Sequence, residues 1–192
     1  FLEYQNDFLG KEGILSPMIQ EGSGAGFLDR STDLLAFSRQ NKVPIFHVPL
    51  VNTDEPINTY GILDTVANSG AFKPGSWGHS FIPEMTPIET ETIIQNKSGI
   101  SAFQGTQLDE HLQEHRITDL YIAGLLTHIC IESTVRDAYD RGYNVTVIKD
   151  AVTSIDATAH QHSLESTLPL FATVSSTEDV KSTLLKGVFH GV

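Results

Sequence analysis

The stretch "DLYIAGLLTHICIESTVRDAYDRGYNVTVIK", residues 119–149, has the pattern of one strand–helix–strand unit. Its first segment, 119–126, is almost continuously apolar, which is typical of a strand covered on both faces. We expect a helix over 128–141 and a second strand over 143–149. A helix of this length returns the chain to the start of the next strand, so the two strands are predicted to be parallel.

The same alternation extends outward along the chain. Apolar, β-branched segments predict four more strands, at 1–5, 43–51, 91–97 and 171–175. Helical patterns separate them, at about 27–41, 105–115, 156–167 and 177–185. These elements predict one α/β domain over residues 1–192, a three-layer doubly wound, mostly parallel sheet with the strand order 3-2-1-4-5-6. The first segment resembles the end of a strand, so we expect that strand to begin before Phe1.

Composition narrows the class of partner. The 192 residues are 40% hydrophobic, enough for a substantial core, and 12 basic against 24 acidic residues give a formal charge of −12. This charge disfavours nucleic acid and anionic membranes as partners and leaves a small-molecule substrate. One cysteine excludes an internal disulfide, and no signal peptide or membrane-spanning run is apparent, so a cytoplasmic location is expected.

Cys130, the only cysteine, lies just beyond the 119–126 strand. Thr127 is a favourable N-cap, so we expect Cys130 in the first turn of the following helix. Unpaired N–H groups and the positive end of the helix dipole lower the pKa of a thiol there. We therefore predict a thiolate nucleophile that alkylates rapidly below about pH 7. The structural alternative is a buried cysteine acting as a small hydrophobic residue.

Two charged residues are predicted to lie near this thiol. Glu3 and Lys97 stand at the ends of the first and third predicted strands. In a doubly wound sheet the carboxyl ends of the strands face a crevice where the strand order reverses. We therefore expect Glu3, Lys97 and Cys130 to meet in this crevice. The alternatives for each residue alone are a sheet-edge position for Glu3 and a solvated strand end, the commoner case for a single lysine, for Lys97.

Four motifs together resemble the isochorismatase-like cysteine hydrolase superfamily over nearly the full chain. They are "EYQNDF" (3–8), "K-x3-SAF-x-GT-x-L" (97–108), "AGLLTHICIESTVRDAYDRGYNVTVIKDA" (123–151) and "AHQHSLESTLPLFATVSST" (159–177). The resemblance implies the doubly wound fold and an Asp-Lys-Cys triad. Cys130 matches the nucleophile and Lys97 the lysine, whereas Glu3 stands where the family has aspartate.

The resemblance implies further properties of the site and the assembly. A cis peptide is expected between Leu125 and Leu126, with the backbone N–H groups of Leu126 and Cys130 forming an oxyanion hole. No metal ion and no organic cofactor are implied. The family also implies a homo-oligomer, a dimer or larger.

Substrate contacts are predicted in and around the segment 52–90, which is too long for a simple connection. Its glycines, prolines and asparagines are typical of a binding loop. Aromatic residues and one histidine near the motifs are the candidate pocket-lining residues, with packing as the alternative: Phe8, Phe72, Trp77, His79 and Phe103.

The other histidines and the glycine run are weaker candidates for catalytic or ligand-binding roles. His128 lies two residues before Cys130. Side chains two positions apart on a helix point in different directions, which disfavours a Cys-His dyad. His47 lacks the second histidine that a nicotinamidase-type metal site needs. His160 and His162 are expected at the surface. The run "EGSGAGF" (21–27) lacks a phosphate-loop pattern and predicts a turn before the first helix.

Three functions remain open from the sequence. The leading hypothesis is a cysteine-dependent amidohydrolase that acts on a small carboxamide or carbamoyl compound through a thioester. The second is a vinyl ether hydrolase of the isochorismatase type, which needs no thiol. The third is a catalytically silent binding protein, because glutamate replaces aspartate at position 3.

Overall fold

A computed structural model of the chain describes residues 1–22, 26–53, 58 and 60–188. Its strands all run in the same direction as their neighbours: β1 (Phe46–His47), β2 (Thr92–Ile93), β3 (Asp119–Leu125), β4 (Asn144–Thr153) and β5 (Thr173–Ser175). β1 pairs with β2, and β3, β4 and β5 form a second group in that order.

The N-terminal segment joins these two groups of strands. Leu2 forms parallel bridges to Val48 on one side and to Gly124 on the other. Counted with this segment as strand one, the order is 3-2-1-4-5-6, which confirms the predicted fold class and topology.

Gly124 allows the two central strands to approach closely. Its φ is +135°, and a Cβ placed there would lie 2.2 Å from the carbonyl oxygen of Leu2. A side chain at this position would push the N-terminal segment away from β3, because two atoms cannot approach so closely. The glycine therefore fixes the place of the segment that carries Glu3.

Helices occupy both faces of the sheet. They are α1 (Asn6–Leu9), α2 (Ser16–Gly22), α3 (Phe27–Gln40), α4 (Gly61–Ser69), α5 (Leu108–Glu114), α6 (Glu132–Asp140), α7 (Ala157–His162) and α8 (Thr177–Val188). Leu34 of α3 and Val180 of α8 pack with Ala123 on one face. Leu112 of α5 packs with Ile122 on the other, since successive strand residues point to opposite faces.

Several local predictions differ from the structure. The turn over Thr127–Ile131 is a π-helix, and α6 begins only at Glu132, so the predicted N-cap role of Thr127 is wrong. A second π-helix at Ser163–Thr167 follows α7. The helices α1, α2 and α4 and the 3-10 turn Pro83–Met85 were not predicted.

Two predicted loops lie partly outside the described residues. Residues 23–25 of the glycine run are not among the described residues, and neither are residues 54–57 and 59 of the segment 52–90. None of the helices in the described part of the chain combines the length and the apolar character needed to cross a bilayer.

Candidate active site

Glu3 and Lys97 form a fully buried ion pair at the carboxyl ends of the central strands. Nζ of Lys97 donates to Oε1 of Glu3 at 2.6 Å and to the carbonyl oxygen of Gly99 at 2.8 Å. Both side chains have no solvent exposure. Lys97 is positioned by a parallel bridge between its backbone and Leu50. A buried charge needs such partners, because taking it out of water is costly.

The backbone of Glu3 leaves the extended conformation. Its φ is +65°, in the left-handed region that residues other than glycine seldom adopt. Its N–H donates to the carbonyl of Val48 at 3.0 Å, so the residue remains tied to the neighbouring strand. A left-handed residue at the end of a strand turns the chain sharply, and α1 begins three residues later. Such conformations are concentrated at functional sites.

Cys130 lies beside this ion pair and is 5% exposed. Burial and the nearby Glu3 carboxylate raise the pKa of its thiol to about 12, against the opposing effects of Lys97 and of the Leu126 N–H. The prediction of a depressed pKa is therefore wrong. The expected α-helical N-terminus is replaced by a π-turn, and burial beside a carboxylate outweighs the nearby cation.

Lys97 is the cationic member of the group. Burial alone would lower the pKa of its amine, but the charge of Glu3, the interaction with Cys130 and the hydrogen bond to Glu3 outweigh burial and raise it. The lysine is therefore charged at neutral pH. The site in its resting form holds a carboxylate–ammonium pair and a neutral thiol.

One oxygen of Glu3 is left available. Oε2 is buried and has no hydrogen-bond partner among the described residues, whereas Oε1 is bonded to Lys97. A buried carboxylate oxygen without a partner is uncommon and calls for an explanation. Besides burial, the charge of Glu3 raises the pKa of Cys130, and both residues line the same cavity, which makes this carboxylate the candidate acceptor of the thiol proton.

The backbone next to Cys130 has the geometry that the resemblance implies. The Leu125–Leu126 peptide bond is cis. The Leu126 N–H interacts with the sulfur of Cys130. Its carbonyl oxygen accepts the N–H groups of Ile129 at 3.0 Å and Ile131 at 3.1 Å, which holds the π-turn around the thiol.

A small cavity of about 40 Å³ opens onto Glu3 and Cys130. Two of the unpredicted helices supply part of its wall, with Met18 from α2 and Leu63 from α4. Helix α4 belongs to the segment 52–90, where substrate contacts were expected. The full lining is Glu3, Phe8, Leu15, Met18, Leu50, Ile62, Leu63, Thr65, Val66, Gly99, Ile100, Leu126, Ile129, Cys130 and Ile155.

Of the five side chains predicted to contact substrate, Phe8 alone lines this cavity. Phe72 is fully buried and packs on Phe8 with ring centroids 4.7 Å apart. Trp77 is 53% exposed, and His79 donates its backbone N–H to Ser76. Phe72, Trp77 and His79 are therefore not among the described residues that line the cavity at the thiol.

Phe103, the fifth of these residues, lines a different and larger cavity of about 440 Å³. That cavity lies at the amino ends of the strands, beside residues 43–46 and 117–122, and the described residues that line it include no cysteine, lysine or glutamate. Ligands of doubly wound folds bind at the carboxyl ends. The smaller cavity is therefore the candidate active site despite its size.

The histidines considered from the sequence have structural partners. Nδ1 of His128 is hydrogen-bonded to the Ser154 hydroxyl at 2.6 Å, and His128 is not among the described residues that line the cavity. His160 is half-buried and bonded to the Thr127 hydroxyl at 2.8 Å, so its predicted surface exposure is wrong. His162 is exposed, as expected.

His47 belongs to a buried ionic cluster. Its Nε2 is 2.9 Å from Oε2 of Glu91, and Glu91 also accepts from Arg39 at 2.7 Å. Burial lowers the pKa of His47 to about 4, so the ring is neutral at neutral pH.

Sequence reasoning missed the apolar wall of the cavity. Leu15, Met18, Leu63, Ile129 and Ile155 carry no chemical signature that separates them from core residues. The available signal was their position, since each lies within a motif, shortly after one, or within the long segment 52–90.

The chain matches the family model described as Isochorismatase domain over residues 1–179. It is 30% identical over 152 residues to YddQ of Bacillus subtilis (strain 168), named as an uncharacterized isochorismatase family protein, covering 78% of this chain and 73% of that protein. It is 36% identical over 85 residues to the ureidoacrylate amidohydrolase RutB of Methylobacterium radiotolerans, covering 44% of this chain and only 33% of that protein.

A solved structure supports the fold over almost the whole chain. The isochorismatase-like hydrolase from Alkaliphilus metalliredigens superposes with a TM-score of 0.82 at 24% identity, covering 95% of each chain. The family model and the YddQ relative establish membership independently of this likeness. The chain therefore belongs to the isochorismatase family and is a hydrolase.

Proposed function

We propose that this hydrolase is a cysteine-dependent amidohydrolase that acts on a small carboxamide or carbamoyl compound through a thioester intermediate. The observation that carries the proposal is the buried group of Glu3, Lys97 and Cys130 at one cavity. The resemblance of part of the chain to a ureidoacrylate amidohydrolase also supports hydrolysis of a carbon–nitrogen bond.

The first half of the reaction forms the thioester. The free oxygen of Glu3 takes the thiol proton as the sulfur of Cys130 attacks the carbonyl carbon. The raised pKa of Cys130 couples these two events, since a free thiolate does not accumulate beforehand. The carbonyl oxygen becomes an oxyanion, which the N–H groups of Leu126 and Cys130 stabilise. Glu3 returns the proton to the nitrogen, and the carbon–nitrogen bond breaks to release ammonia or an amine.

The second half of the reaction regenerates the thiol. Glu3 removes a proton from a water molecule, which attacks the thioester carbonyl. The carbon–sulfur bond breaks, the acid product leaves, and the proton returns to the sulfur of Cys130. Lys97 remains charged throughout and stabilises the carboxylate form of Glu3, so that Glu3 can act as a base in each half.

Glutamate at position 3 is compatible with this role. Its Oε1 lies 2.6 Å from Nζ of Lys97, so the longer side chain still forms the ion pair. Its second oxygen lacks any other partner among the described residues, as a proton acceptor requires. A silent binding protein has no need of such an oxygen beside a thiol. A vinyl ether hydrolase has no need of the thiol.

Measurement of ammonia release from a panel of small amides and carbamoyl compounds tests the proposal. We expect turnover and an acylated Cys130 visible by mass spectrometry of the intact protein. Cys130→Ala should lower kcat by at least about 10³-fold, because the nucleophile is lost.

His128→Ala is the matched control, because His128 is the neighbouring base candidate, is bonded to Ser154 and is not among the described residues that line the cavity. We expect its kcat to remain near that of the unmodified protein. Turnover that survives Cys130→Ala, or a panel that yields neither ammonia nor an acylated cysteine, would refute the amidohydrolase.

A further inference from the structure

The wall of the active-site cavity is almost wholly apolar. Among the described residues that line it, the only polar side chain apart from Glu3 and Cys130 is that of Thr65, and the other side chains are apolar. Phe8, Leu50, Val66 and Leu126 are buried parts of this wall. Apolar walls of this kind bind apolar groups, since both lose contact with water on binding.

No cation of the described residues is available to an acidic ligand in the cavity. No lysine, arginine or histidine is among the described residues that line it. The nearest ammonium, on Lys97, already contacts Glu3 and the Gly99 carbonyl, and it is fully buried. The pair of Glu3 and Lys97 has no net charge, and the chain as a whole carries −12.

We propose that the cavity selects uncharged amides whose acyl group is a short aliphatic chain, and that it excludes amides carrying a carboxylate. The inference rests on the proposed amidohydrolase function and adds the class of substrate. A carboxylate in this cavity would lose its hydration without gaining a partner, which disfavours its binding strongly. An aliphatic chain of similar shape gains from burial against the same side chains.

Met18 is the wall residue through which this selectivity can be altered. It lies on α2, lines the cavity and is 42% exposed, so it stands at the mouth. A lysine has a similar length and can keep its stem on the apolar wall while its ammonium reaches water. Met18→Lys therefore supplies the missing cation without filling the cavity, and Met18→Leu is the matched uncharged control.

Isovaleramide and malonamate form a suitable pair of probes. They share an amide and a methylene, and differ by an isopropyl group in place of a carboxylate of nearly the same shape. The first measurement is protection of Cys130 from alkylation by iodoacetamide at pH 9. It detects binding of an amide whether or not the amide is hydrolysed. The second measurement is kcat/KM for each amide.

We expect isovaleramide to protect Cys130 at concentrations about a hundredfold lower than malonamate, a difference typical of burying one unpaired charge. Met18→Lys should reduce this ratio at least about tenfold, whereas Met18→Leu should retain it. Equal protection, better protection by malonamate, protection by neither compound, or a ratio unmoved by Met18→Lys would each overturn the inference.

The two measurements separate this inference from the proposed function. Selective protection by isovaleramide without turnover of any amide would retain the apolar selectivity and refute the amidohydrolase. Turnover that favours malonamate would retain the amidohydrolase and refute the selectivity.

Discussion

The two carboxylate oxygens of Glu3 have different surroundings. Oε1 is held by Lys97, whereas Oε2 has no hydrogen-bond partner among the described residues and is the oxygen that we propose as acceptor of the Cys130 proton. The sequence predicted these three residues as a group because the carboxyl ends of central parallel strands must meet. It did not predict the protonation state of the thiol, since burial and one carboxylate decide it, and neither is visible in the local pattern.

Alkylation of Cys130 tests this electrostatic arrangement. With a pKa of about 12, the thiol should react slowly at neutral pH, and its rate should rise about tenfold per pH unit across the alkaline range. Glu3→Gln removes the carboxylate that, with burial, raises this pKa, and it retains Lys97, which lowers it. We therefore expect faster labelling by iodoacetamide at pH 9, measured on folded protein.

Glu84→Gln is the control for this prediction, since Glu84 is exposed and outside the cavity. Its labelling rate should match that of the unmodified chain. Slower labelling of Glu3→Gln, or rapid labelling of the unmodified chain below pH 7, would contradict the arrangement.

Short elements between the strands build most of the cavity. Helices α2 and α4 bring Met18 and Leu63 to it, and the π-turn at Thr127–Ile131 brings Ile129. The alternation of strands and long helices could be predicted from periodicity. These shorter elements could not, because tertiary contacts stabilise them more than their own pattern does.

The "QND" part of the first motif anchors the loop around the site. Gln5 donates to the carbonyls of Leu50 and His79, and Asn6 donates to that of Trp77. Asp7 accepts the N–H groups of Ile14 and Phe72. These polar side chains are buried, and their hydrogen bonds fix the walls of the cavity relative to the strand that carries Glu3.

Removal of the Asp7 carboxylate should destabilise this anchor. Asp7→Ala leaves the N–H groups of Ile14 and Phe72 without their acceptor, the latter in the interior. We expect the free energy of unfolding to fall by about 3 kcal/mol, the usual scale for a charged acceptor with buried donors. Urea denaturation measures the change.

Asp140→Ala serves as the control for Asp7→Ala, because Asp140 is exposed at the end of α6. We expect a change within about 0.5 kcal/mol. An equally small change for Asp7→Ala would show that the anchor is not needed for stability.

The molecule as a whole follows the doubly wound plan that alternation predicted. The order of six segments and the two helical layers were both accessible from the sequence, because every parallel connection needs a crossover. The lengths of the strands could not be predicted from the sequence. In the third predicted strand, 91–97, only Thr92–Ile93 forms a strand, and Lys97 forms an isolated bridge. A cytoplasmic location and a homo-oligomeric assembly stay predictions.

The buried cluster of His47 and Glu91 makes stability depend on pH. Burial lowers the pKa of His47 to about 4, against about 6.5 in an unfolded chain. Between these values the unfolded chain binds a proton that the folded chain does not. The free energy of unfolding should therefore decrease as the pH falls from about 6.5 to 4, by about 3 kcal/mol.

Glu91 contributes at lower pH. Burial favours its protonated form, but hydrogen bonds from Arg39, the Ile88 N–H and His47 hold the pKa of Glu91 at about 2. Its stabilising effect should be lost as the pH falls from about 4.5 toward 2. Urea denaturation at a series of pH values separates the two windows. His47→Gln should flatten the dependence of the free energy of unfolding on pH between about 4 and 6.5. An unchanged slope in this range would exclude His47 as the origin of the dependence.

The ion pair of Glu3 and Lys97 joins residues 94 positions apart, and Cys130 lies further along the chain. A contact of such sequence separation cannot exist until the central sheet has assembled. During synthesis and refolding the thiol is therefore exposed, with the ordinary pKa of about 8.5, and open to oxidants. Completion of the sheet is what shields it. The fold that buries Cys130 beside Glu3 is thus also its protection against oxidative damage, and the newly made chain is the vulnerable form.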